Sequence, residues 1–169
     1  MRPLISIIMG STSDLPIMEK AAKQLDAMQI PFEMLALSAH RTPEEVERYA
    51  RTARNRGVRV IIAAAGMAAH LCGVIAAQTS IPVIGVPIAA SLQGIDALLA
   101  IVQMPPGIPV ATVGINAAEN AAILAAQILG TQNEDIYAHL TDHKEQLKEK
   151  VVKANEELAK IKDYQFKTN

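Results

Sequence analysis

Apolar residues along this chain follow two alternating patterns. Short, largely apolar runs occupy residues 4–9, 32–37, 58–64, 83–86 and 110–113. Runs of this length read as strands buried on both faces, as in parallel sheets. Between them, residues 17–28, 42–55, 70–78, 95–102 and 117–129 carry the spacing of helices. Asp14 and Pro16 sit where an N-cap and a first helical turn belong, and Pro87 cuts the fourth apolar run short. Thr42-Pro43-Glu44-Glu45 reads as a capping box, with the helix ending before Gly57.

Strands alternating with helices over short connections predict an α/β fold with a parallel sheet covered on both faces. For five strands the expected architecture is a three-layer, flavodoxin-like sheet of order 2-1-3-4-5. Residues 134–160 differ, being charged, with Ile136, Leu140, Leu147, Val151 and Leu158 at roughly helical spacing and no strand after them. They predict a long amphipathic C-terminal helix, packed either on its own domain or, as an arm, over a neighbouring subunit. The chain is expected to form a single domain over residues 1–169, with a core at 1–130 and a helical arm at 131–169.

Composition narrows the function. A net charge of -1 leaves no electrostatic footprint for nucleic acid or an anionic membrane, and 3% aromatic residues offer no base-stacking platform. The single cysteine, Cys72, excludes an internal disulfide and a multi-cysteine zinc site. The most apolar stretch, residues 58–86, is interrupted by His70, Gln78, Thr79, Ser80 and Pro82. It falls short of the roughly 20 apolar residues a membrane span needs. The N-terminus runs directly into a strand without the three regions of a signal peptide, so the expected location is the cytoplasm.

In an open parallel sheet, ligands bind beyond the carboxyl ends of the strands where the strand order reverses. The loops after strands 1, 2 and 3 should meet there. The first holds Gly10-Ser11-Thr12-Ser13-Asp14: a tight turn, three hydroxyls and a carboxylate suited to sugar hydroxyls. Ser13 or Asp14 could equally serve only as a helix cap. The second holds Ser38-Ala39-His40-Arg41. Arg41 can bind phosphate or carboxylate with two parallel bonds, and His40 can exchange protons near neutral pH. The alternative is an exposed His-Arg pair at a helix entrance. The third, Ala65-Gly66-Met67-Ala68-Ala69-His70-Leu71, is built of small residues against which a planar ligand could lie. His70 is a second candidate there, although a histidine in so apolar a run is more often structural. Cys72 reads as a small buried residue, and His139 and His143 lack a third ligand, so no metal site is expected.

Three motifs, Gly-Ser-x-Ser-Asp, Ser-Ala-His-Arg-Thr-Pro and Ala-Gly-x-Ala-Ala-His-Leu-x-Gly, follow strands 1, 2 and 3 in that order. With the stretches at residues 101–110 and 120–129, they resemble the bacterial N5-carboxyaminoimidazole ribonucleotide mutase family of purine biosynthesis. The resemblance implies a cofactor-independent isomerase, assembled as an octamer, that moves a carboxylate from N5 to ring carbon C4. It implies that His40 is the general acid and base. Ser11, Ser38 and Arg41 would match phosphate-binding positions, with Ser13 assisting, and Asp14 the ribose-binding position. Ala65, Gly66 and Ala68 would line the base and CO2 pocket, with His70 and Leu71 beside it.

The chain departs from the family pattern at Ala64, Met67 and Cys72, where Gly, Gly and Pro are usual. The loop at 87–94 reads as one residue short. A related branch that carboxylates the ribonucleotide directly with CO2 tends to carry Lys after the histidine, and Arg41 favours the mutase branch. A non-catalytic nucleotide-binding module is a third reading, which would fit a site lacking the proton-transfer residue; His40 is present.

Overall fold

The computed structural model describes residues 2–169. Five strands form one parallel sheet: β1 (Ile5–Met9), β2 (Phe32–Ala36), β3 (Val60–Gly66), β4 (Val83–Ile88) and β5 (Ala111–Thr112), in the expected order β2-β1-β3-β4-β5. The connecting helices are α1 (Leu15–Ala27), α2 (Pro43–Arg56), α3 (Leu71–Gln78) and α4 (Ile95–Val102). After β5 come α5 (Ala118–Gly130) and the long α6 (Glu134–Lys160).

Strand order and handedness decide which face each helix covers. The chain steps one way from β1 to β2, then reverses across the sheet to β3, β4 and β5. Parallel crossovers are right-handed, so α1 must lie on one face and α2, α3 and α4 on the other. Side-chain alternation serves both layers. Ile5, Ile7 and Met9 of β1 join α1 and α5 in one core, while Ile8 joins α2 and α3 in the second. The stripe Ala118, Ala121, Ala122, Ala125 and Ala126 lets α5 approach closely. Gly85 does the same for α4, since a Cβ there would lie 2.4 Å from Ile101 Cγ2.

Several boundaries differ from the expectation. β4 does not stop before Pro87 but continues to Ile88. The Pro87 carbonyl accepts from Asn116 N, so the missing N–H of Pro87 also faces the β5 side, beyond the end of that short edge strand. β3 runs on to Gly66 because β4 pairs with it that far, which carries Ala65 and Gly66 into the sheet. The capping box at Thr42 does not form. The Thr42 hydroxyl turns back to Ser38, donating to its carbonyl at 3.1 Å and accepting from its N–H at 2.9 Å, and Glu45 pairs with Arg48 instead.

Helix α6 divides in two. Its start is capped by Asn133, whose Oδ1 accepts from Ile136 N at 3.1 Å, and only Ile136 and Leu140 are buried. Leu147, Val151 and Leu158 are exposed, so the second half of this 27-residue helix leaves the domain. No helix among the described residues is long and apolar enough to cross a membrane.

Candidate active site

The carboxyl ends of β1, β2 and β3 open into one cleft of about 440 Å³. Ser11, Ser13, Asp14, Ser38, His40, Arg41, Ala65, Gly66, Ala68, His70 and Leu71 all line it. The strand order thus gathers every candidate residue at the switch point.

The first loop is a single 3-10 turn, Thr12–Asp14, ahead of α1. Ser11 caps this turn, its hydroxyl accepting from Ser13 N at 3.3 Å. Asp14 makes no cap bond, so its carboxylate is not consumed by the helix. Partial burial raises its pKa from the ordinary carboxylate value, while the Ser13 hydroxyl donating at 3.4 Å acts in the opposite direction.

The second loop is cross-braced. The Thr42–Ser38 bonds close it, and the Ser38 hydroxyl accepts from Arg41 N at 3.2 Å and from Arg41 Nε at 3.4 Å. Arg41 Nη2 donates to the Gly10 carbonyl at 2.8 Å, tying the second loop to the first. The guanidinium is therefore held in place before any anion arrives, which lowers the ordering cost of binding one.

The third loop supplies small walls and a second imidazole. A Cβ on Gly66 would meet Ala90 Cβ at 3.0 Å and the Ile88 carbonyl oxygen at 3.3 Å, so a larger residue there would push against the loop after β4. Met67 adopts φ +56. Ala69 and Leu71 are buried and anchor the far side of the turn. His70 is thereby set with Nδ1 2.9 Å from His40 Nε2, the rings edge-to-face at 79°.

Cys72 is excluded from nucleophilic work. It is buried, its thiol donates to the Ala63 carbonyl at 3.2 Å, and burial pushes its pKa up to about 12. Among the described residues, no group of three or more His, Cys, Asp and Glu is placed to hold a metal ion. Ala39 and Ala90 also line the cleft and were not singled out by sequence reasoning. Ala90 follows β4, the neighbour of β3, so the strand order alone could have pointed to that loop.

The family model described as AIR carboxylase matches residues 4–150. The N5-carboxyaminoimidazole ribonucleotide mutase of Pyrococcus abyssi is 58% identical over 147 residues, covering 86% of this chain and 84% of that protein. The protein of the same name from Thermotoga maritima is 51% identical over 160 residues, 94% of each. The phosphoribosylaminoimidazole carboxylase of Schizosaccharomyces pombe is also 51% identical over 160 residues, but these cover only 29% of its length. Among solved structures, Treponema denticola PurE superimposes with a TM-score of 0.83 at 30% identity, covering 93% of this chain and 99% of that one. With a family match over most of its length and relatives this similar, the chain belongs to the AIR carboxylase family.

Proposed function

We infer that this chain is an N5-carboxyaminoimidazole ribonucleotide mutase of purine biosynthesis, an isomerase that moves the carboxylate from N5 to C4. Relatives of that name at 51–58% identity support the reading. The single observation that carries the mechanism is the cleft itself. It holds one imidazole pair, one braced guanidinium and one partly buried carboxylate around small walls.

Arg41, with the Ser11 and Ser38 hydroxyls and help from Ser13, takes the substrate phosphate. Asp14 accepts hydrogen bonds from the ribose hydroxyls. The backbone of Ala65, Gly66 and Ala68 lies along the base, with His70 and Leu71 beside it. His40 donates a proton to N5 as the N5–carboxyl bond breaks and CO2 is released. The electron pair of the ring then forms the C4–CO2 bond, and His40 removes the C4 proton to restore aromaticity. One proton is given and one is taken back, which a single group can do by alternating protonation states. The carboxyl carbon keeps its oxidation level, so the balance requires no redox cofactor.

In this reading the enzyme acts in the cytoplasm as a homo-octamer. Direct carboxylation by CO2 is the second reading, supported by the carboxylase name of the fungal relative. The test is conversion of N5-carboxyaminoimidazole ribonucleotide to its C4-carboxylated isomer by the purified protein; catalytic amounts that give no rate above the uncatalysed background would overturn the assignment.

A further inference from the structure

The short β5 pairs with β4 only as far as Gly85, yet β4 runs on to Ile88 and leads into the cleft wall at Ala90. Asn116, far along the chain, takes up the missing pairing. Its N–H donates to the Pro87 carbonyl at 2.8 Å, and its side-chain Oδ1 accepts from Ala89 N at 3.0 Å. The two bonds bracket Ile88 as a neighbouring parallel strand would, one to the residue before it and one from the residue after it. Asn116 stands at φ +58, where the chain turns toward α5, so the amide oxygen serves in place of a strand carbonyl. Asparagine is among the few residues that enter this left-handed region readily.

The segment so held has little else to fix it. Ala89 and Ala90 are exposed, so no core burial anchors them. Beyond Ser91 the backbone passes through three positive φ values in a row, +43 at Leu92, +56 at Gln93 and +84 at Gly94. The same turn that carries Asn116 also supports that stretch, since a Cβ on Gly94 would lie 2.7 Å from Ile115 Cγ2. Across the cleft, a Cβ on Gly66 would meet Ala90 Cβ at 3.0 Å. Ala90 therefore stands against the Gly66 backbone, and its position sets the width of the cleft at that end.

We propose that Asn116 is a positioning residue for substrate binding: through Ala89 it holds Ala90 as the wall opposite Gly66, where the base of the ribonucleotide lies. This rests on the mutase reading of the cleft. Asn116 touches neither His40 nor any other group that exchanges a proton with substrate, so it acts on binding and not on the proton steps.

The test compares the unaltered chain with Asn116→Gly, Asn116→Ser and Asn116→Asp. Glycine suits φ +58 and keeps the backbone bond to Pro87 while removing Oδ1. Serine, whose oxygen lies one bond closer to the backbone, also loses the clamp and replaces the glycine variant should that one not fold. Aspartate keeps an acceptor at the same reach. Three quantities are read: amide hydrogen exchange of the segment 87–94, calorimetric affinity for the uncarboxylated ribonucleotide, and KM and kcat with N5-carboxyaminoimidazole ribonucleotide. The expected result for Asn116→Gly and Asn116→Ser is faster exchange in that segment, several-fold weaker affinity and a several-fold higher KM. Their kcat and its pH profile should stay close to those of the unaltered enzyme, and Asn116→Asp should restore both exchange and KM. Unchanged affinity and KM in the clamp-less variants, with turnover intact, would overturn the inference and leave the mutase reading standing. A rise in KM without faster exchange, or an equal rise in Asn116→Asp, would also overturn it, as would a loss confined to kcat or to thermal stability. No binding and no turnover by the unaltered chain would remove the mutase reading and this inference together.

Discussion

His40 Nε2 and His70 Nδ1 stand 2.9 Å apart across two loops separated by 30 positions in the chain. At that distance one nitrogen donates and the other accepts, so a single proton lies between the rings. A second proton would set two N–H groups against each other. His70 thus orients the His40 ring, while His40 carries the proton to and from substrate in the proposed mechanism. His40→Asn is expected to cut turnover by about 100- to 10,000-fold, the usual contribution of a general acid–base group. Binding of the uncarboxylated ribonucleotide, read by calorimetry, should be largely kept. His70→Asn should lower kcat less and leave KM nearly unchanged. Normal turnover in His40→Asn would remove the acid–base assignment.

Arg41 is held by the Gly10 carbonyl and the Ser38 hydroxyl, yet neither partner is charged. Its positive charge therefore remains available to an anion. Arg41→Ala should weaken binding of the phosphorylated substrate by about 1.5–3 kcal/mol, the value of a hydrogen bond to a charged group. Arg41→Lys should fall between, since it keeps the charge but loses the planar fork. Unchanged affinity in Arg41→Ala would place the phosphate elsewhere.

Asp14 sets function against stability. Its carboxyl is pushed upward mainly by burial, so the folded state favours the protonated form. Below the unfolded value of about 3.9 the acid is neutral in both states and nothing is lost. As pH rises through the elevated folded value, folding stability falls, and the full cost is present at neutral pH. Asp14→Asn should therefore raise Tm at pH 7, with the gain vanishing in acid below about pH 4. The same variant should raise KM if Asp14 holds the ribose as proposed. A lower Tm at neutral pH would contradict this account of the carboxylate.

The fold was legible in the chain because its signals are local and mutually consistent. Apolar runs such as residues 58–64 and helix starts such as Pro43 led to the correct elements and to the order β2-β1-β3-β4-β5. What local pattern could not show was tertiary context. Pro87 looked like a strand end, yet its position beside the short β5 makes its missing N–H harmless. Thr42 matched a capping box, but Ser38 competes for its hydroxyl once the loop folds back. The candidate residues were found from position at strand ends and from the family resemblance. The His40–His70 contact and the left-handed backbone of Met67 needed coordinates, because both depend on how two loops meet in space.

Gly85 tests the packing account away from the chemistry. A Cβ there would lie 2.4 Å from Cγ2 of the fully buried Ile101 and 3.1 Å from Val110. Gly85→Ala should cost about 1–3 kcal/mol by overpacking, measured by urea unfolding. Adding Ile101→Leu removes the branched methyl and should recover part of the loss. A neutral Gly85→Ala would mean that α4 does not press on β4 as described.

The most direct test of the central claim is the choice of carboxyl donor. Purified enzyme is given N5-carboxyaminoimidazole ribonucleotide in one cell and the uncarboxylated ribonucleotide with bicarbonate in another. Both are followed for the C4-carboxylated product, with His40→Asn alongside. Much faster turnover of the N5-carboxylated substrate, lost in His40→Asn, is the expected result. Efficient turnover only from the uncarboxylated ribonucleotide with dissolved CO2 would contradict it and make the protein a direct carboxylase.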